Sequence, residues 1–166
     1  MRTAILGVAL ALTACGGMDE PARDPVAETS SVPATSAMLG ELDETDLAGA
    51  GLEGELACAF RRNDGDAPIF LGRGDVLDEA GAQGAVKYGG AVHRLAMDGR
   101  GGYDAMADGA QFGGEGLILT IAPTGDEPLA EKPQVAMESP IHPATLTFTA
   151  PGEAKQTIEG LFECGP

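Results

Sequence analysis

The stretch AVKYGGAVHRLAM, residues 85–97, decides the fold. Val86 and Tyr88 stand before Gly89-Gly90, and Val92 with the positions after it stands beyond. Short β-branched and aromatic runs joined by two glycines predict a hairpin with a type I′ or II′ turn, because glycine adopts positive φ without steric cost. Working outward, GELACAFRR at 54–62 puts Leu56, Cys58 and Phe60 on one side and Glu55, Ala57, Ala59 and Arg61 on the other. That is the two-residue period of a half-buried strand. Asn63-Asp64-Gly65-Asp66 follows as a turn, since Asn and Asp bond to their own backbone and Gly supplies positive φ.

A second strand is expected at 69–71, and others at 117–122, 144–149, 156–158 and 160–164. DGRGG at 98–102 reads as a chain reversal, and the glycine-rich run 99–116 as tight turns and bulges. Residues 123–143 carry five prolines and four acids and read as a flexible excursion between strands. Several short strands between glycine turns, with no helical stripe, predict an all-β domain, a small antiparallel β-barrel or sandwich after a disordered N-terminal tether.

The chain opens with Met1-Arg2, an apolar run over 5–12 and small residues before Cys15, the layout of a secretory signal. The run is too short for a bilayer, which takes ~20 residues of helix. Leu12-Thr13-Ala14-Cys15 resembles the lipobox of bacterial lipoproteins. The resemblance implies that residues 1–14 are removed, that the Cys15 thiol receives a diacylglycerol and that the new amino terminus is acylated. Two or more acyl chains, at ~0.8 kcal/mol per buried methylene, hold a protein to a membrane durably. Gly16 stands where lipoproteins kept in the inner membrane carry Asp, so the resemblance implies the periplasmic face of the outer membrane.

Residues 15–51 then form a lipidated Cys followed by an acidic, Pro/Ser/Thr-rich linker, and 52–166 the β domain. Within the linker, MLGELDETDLAGA at 38–50 is transitional and admits a short helix capped near Asp43 or Thr45. With Cys15 used by lipid, Cys58 and Cys164 remain as a pair, in phase with Phe60 and Phe162 respectively, in the first and last strands. In an oxidising compartment they are expected to form a disulfide across 106 residues, worth ~4–5 kcal/mol in the chain-entropy model.

Formal charge is −16, and the chain from Cys15 onward has 9 basic against 26 acidic residues, or −17. Nucleic-acid binding, which rests on cationic contacts, is excluded on that ground. The same charge keeps the protein soluble and suits a basic periplasmic partner. There is no H-E-x-x-H, G-x-S-x-G or Walker sequence, and His93 and His142 are the only histidines. The only serine after residue 51 is Ser139, in the proline-rich excursion. No catalytic residue, metal site or cofactor is expected.

A lipoprotein whose small β-barrel has a cysteine near each end resembles the membrane-bound inhibitors of c-type lysozyme, which carry a Ser-Gly-x-Lys/Arg-Tyr motif. DGAQF at 108–112 matches it at Gly109 and at the aromatic Phe112, with Asp108 in place of Ser and Gln111 in place of the basic residue. That resemblance implies a partner contact at Asp108, Gly109, Gln111 and Phe112. The sequence thus points to a lipid-anchored, non-catalytic envelope protein with a binding or structural β domain of unknown ligand, the alternative being a periplasmic enzyme inhibitor.

Overall fold

A computed structural model of the chain describes residues 37–77, 79–125 and 140–166. The signal segment, Cys15, the linker up to residue 36, Ser139 and the centre of the 123–143 excursion lie outside the described residues. The elements run β1 (Leu39–Gly40), α1 (Glu44–Ala50), β2 (Leu56–Arg61), β3 (Phe70–Gly74), β4 (Gln83–Tyr88), β5 (Ala91–Met97), α2 (Gly102–Ala107), β6 (Gln111–Gly114), β7 (Leu117–Pro123), β8 (Ile141–Thr149) and β9 (Gln156–Gly165).

The hairpin read from residues 85–97 is present as β4 and β5, with Tyr88 opposite Ala91 and both Gly89 and Gly90 at positive φ, 60° and 82°. Two positive values make the turn type I′, whose twist matches the flanking strands. From β2 to β9 each strand pairs antiparallel with its neighbour in sequence, and β2 pairs with β9. The result is a closed eight-stranded barrel, which leaves no long edge. β1 lies in line with β3 along one edge of β4: β3 takes residues 83–86 and β1 takes 87–88.

All five phenylalanines of the chain, Phe60, Phe70, Phe112, Phe148 and Phe162, are buried inside the barrel. Glycines on the inner face make room for them. A Cβ on Gly84 would stand 2.5 Å from the Phe70 ring, and one on Gly160 would collide with the Phe60 ring and the Arg61 carbonyl. Large and small residues therefore fill the eight-stranded interior together, the packed limit of a barrel this size. Each such ring contributes about 1.5–3 kcal/mol by leaving water. The outer wall mixes polar side chains such as Arg61, Arg73, Lys87, Thr147 and Glu159 with apolar ones such as Leu71, Ala85 and Val92.

The folded unit begins well before residue 52. Asp43 caps α1, its side chain accepting from the Asp46 amide at 2.9 Å while the Asp46 carboxylate accepts from the Asp43 amide at 3.0 Å, a reciprocal capping box. Leu42, Leu47, Ala50 and Leu52 pack on Leu71, Ala85 and Val92, which point outward from β3, β4 and β5. Residues 39–51, assigned to the linker from sequence, are thus a strap over the barrel wall, held by a small second core.

Lys87 ties the strap to β4, with Nζ 2.6 Å from Asp46 and 3.6 Å from Asp43. Its hydrogen bond holds the Asp46 carboxyl below the usual carboxylate range, and the same bond raises the Lys87 ammonium. A depressed carboxylate stabilises the fold above its unfolded value and loses that effect as pH falls through its folded one; a raised ammonium loses it as pH rises through its folded value. Asp46→Asn is therefore expected to destabilise the domain between about pH 5 and 9. The difference from wild type should shrink below about pH 4 and again above about pH 10.5 in urea titrations. A pH-independent difference would remove the pair from the account.

Candidate functional site

The barrel has two distinct ends. At one lie the Gly89-Gly90 turn, the Glu115-Gly116 turn and the connection from Ala150 to Lys155, and the chain enters there through Ala37 and Leu39. The Gln156 side chain clasps that entry, donating to the Ala37 carbonyl at 2.9 Å and accepting from the Leu39 amide at 3.5 Å. Leu39 is buried opposite Tyr88, whose ring lies 5.1 Å from that of Phe148, so apolar side chains close this mouth. His93 stands beside them with Nδ1 2.6 Å from a Glu115 carboxylate oxygen and Nε2 3.3 Å from the Tyr88 carbonyl oxygen. Both ring nitrogens face acceptors, so His93 pins β5 to the β6–β7 turn and presents no free nitrogen to a substrate.

At the other end lie the β3–β4 connection, α2, and the ends of β7 and β8 that flank residues 124–140. α2 has six residues and no side-chain cap, and the buried Met106 holds it by reaching under the barrel against Gly72. From this plug three hydrogen bonds fix the β3–β4 connection: the Tyr103 amide donates to the Asp75 carbonyl at 3.0 Å, the Gly102 amide to the Ala80 carbonyl at 3.0 Å, and the Leu77 amide to the Asp104 carboxylate at 3.1 Å. Asp75 in turn accepts from the Glu55 amide at 2.9 Å. Partial burial raises the Tyr103 phenol above its ordinary value, with the Asp104 charge adding to the effect.

The connection displays Val76 and Leu77, 42% and 88% exposed. Leu77 has φ 58°, a left-handed conformation uncommon for any residue with a branched side chain. Gly or Asn would hold that backbone more cheaply. An apolar side chain is thus held outward on a strained, hydrogen-bonded tip.

The residues singled out from sequence fall as follows. Cys58 and Cys164 face each other across the β2–β9 pairing and are joined by a disulfide. Asp108 and Gln111 are exposed near α2, Gly109 is half-buried between them, and Gln111 reaches Asp98 at 3.4 Å. Phe112 is buried in the barrel, its ring 4.8 Å from that of Phe70, and so presents no aromatic surface to a partner. In β6, QFGG, Phe112 is the one large inward residue, opposite Leu119 of β7. His93 and His142 lie toward opposite ends of the barrel. Among the described residues no group of three His, Cys, Asp or Glu side chains is placed to hold a metal ion.

Leu77 was not among the residues picked out from sequence. Its only signal was an apolar pair, Val76-Leu77, set among Asp75, Asp78 and Glu79 where a turn is due. Comparison with family models, with curated proteins and with solved structures finds no match to this chain.

Proposed function

We propose that the chain is a lipid-anchored protein of the cell envelope, held through Cys15 at the periplasmic face of the outer membrane, whose non-catalytic barrel binds another protein. The observation that carries this reading is polarity along the barrel. The chain enters at the Gly89-Gly90 end, and the hydrogen-bonded apolar tip with α2 lies at the opposite end. An anchor upstream of residue 37 joins the barrel at the Gly89-Gly90 end, so the tip lies at the end to which no tether attaches. Residues 15–36 extend at most ~75 Å, enough reach to meet a partner off the membrane.

Non-catalytic work is supported by an interior filled with phenylalanine rings and by the double engagement of His93. The acidic surface favours a basic partner through association rate. Mass analysis of the mature protein tests the anchor: loss of residues 1–14 and addition of lipid at Cys15 are expected, and Cys15→Ser should release the domain from membranes. An intact leader, or an unmodified Cys15 thiol, would overturn the proposal. Bifunctional crosslinking of whole cells tests the binding role, which fails if no second protein is joined to the barrel at any position.

A further inference from the structure

Resting on that reading, we infer that the Val76-Leu77 tip is the contact by which the barrel docks into an apolar socket bordered by Lys and Arg on a folded partner protein. The tip unites two features that nothing in the barrel's own stability explains. Leu77 is 88% exposed, and its backbone adopts the left-handed region at φ 58°. A single exposed apolar residue is ordinary on a protein surface. Here, however, the conformation costs stability, and the Asp104 carboxylate, the Tyr103 amide and the Gly102 amide all serve to hold it. Strain that the surroundings maintain is characteristic of sites with a function.

Charge selects the occupant. Asp75 and Glu79 lie in the connection and Asp104 bonds the Leu77 amide, against Arg100, whose guanidinium is 3.9 Å from Glu79, and Arg73, two residues before Asp75. An anionic lipid surface is repelled by this end, which is not the end at which the chain enters. A second copy of the chain would bring the same acids face to face, at −17 charges per copy from Cys15 onward. A partner with a cationic rim around an apolar recess is attracted on approach and receives Leu77 on contact.

The test uses the full chain in the cells that make it, with a photoactivatable residue at position 76 or, as a control on the outer wall, at the exposed Ile118. The expected result is an adduct at 76 to one second protein whose contact face is rich in Lys and Arg, and none at 118. Leu77→Asn and Leu77→Gly both keep a backbone that tolerates positive φ. Each should lower the yield of that adduct at least tenfold while raising the unfolding midpoint by about 3 °C, because strain is relieved as the anchor is lost. With the captured protein purified, association should slow several-fold between 50 and 500 mM salt, and Glu79→Gln should slow it at low salt.

The inference is overturned if the adduct at 76 survives both Leu77 variants, if it forms with lipid or with another copy of this chain, or if its formation is indifferent to salt. An adduct at 118 alone would overturn it while leaving a binding role for the barrel. Absence of adducts at both positions, with no crosslinked partner elsewhere, would remove both.

Discussion

Replacing Cys58 and Cys164 together with alanine is expected to cost about 4 kcal/mol of unfolding free energy, by the loop-closure relation for a 106-residue separation. The size follows from where the bond sits. Every other strand pair of the barrel joins elements adjacent in the chain, whereas β2 and β9 are its first and last strands. Their pairing alone carries the full entropy of closing the barrel. A bond at Cys58 and Cys164, directly opposite in the register, removes that cost from the folded side of the comparison by restricting the unfolded chain. About 4 kcal/mol is a large part of the 5–15 kcal/mol typical of a domain. Urea unfolding with and without reductant measures it, and a loss under about 1 kcal/mol would show that the ladder alone holds the seam.

The second large effect belongs to Phe60, whose removal as Phe60→Ala should cost about 3–5 kcal/mol. Phe60 faces Phe70 on one side and Phe162 on the other in the strand registers, and its ring occupies the space that Gly160 leaves open. A glycine cannot extend into the cavity left behind. Nor does Gly160→Ala repair it, because a Cβ there meets the Arg61 carbonyl as well as the ring. The double variant is expected to be less stable than Phe60→Ala alone. Gly84 offers a contrast, since the atoms nearest to a Cβ there belong to the rings of Phe70 and Phe112, which smaller side chains would vacate. Thermal or urea unfolding of both sets gives the comparison, and full rescue by Gly160→Ala would contradict this packing.

Strands with uninterrupted alternation were legible from the amino acids alone. Leu56, Cys58 and Phe60 in β2, Val86 in β4 and Leu95 and Met97 in β5 face inward as their period requires, and the disulfide follows from the phase of its two cysteines. Legibility failed where packing, not pattern, sets the structure. QFGG has one apolar residue and two glycines, so β6 shows no alternation, and its single Phe112 was read as a surface contact although it fills the core. Gly160 interrupts β9 in sequence but not in space, because its missing side chain is the place of the Phe60 ring. Closure into a barrel rather than a sandwich depends on β2 meeting β9 while β4 meets β5, long-range information that no local period holds.

The same cause explains the boundary placed at residue 52. Leu42, Leu47 and Leu52 make sense as a packed face only when Leu71, Ala85 and Val92 are known to point outward beneath them. α2 escaped notice because six residues opening with glycine have little helical preference, and Met106 anchors them from inside the barrel. The candidate contact at Leu77 was hidden for a further reason: backbone strain at one residue leaves no trace in composition.

The meander order also governs what happens while the polypeptide is being made. β2 emerges early, with Phe60 and Cys58 on a strand whose outer edge has no mate until β9, Gln156 to Gly165, follows some hundred residues later. Ribosomal pausing anywhere in between leaves two sticky ribbons open, and a product without β9 would leave β2 and β8 as templates for aggregation. β9 is therefore the keystone of the whole ring.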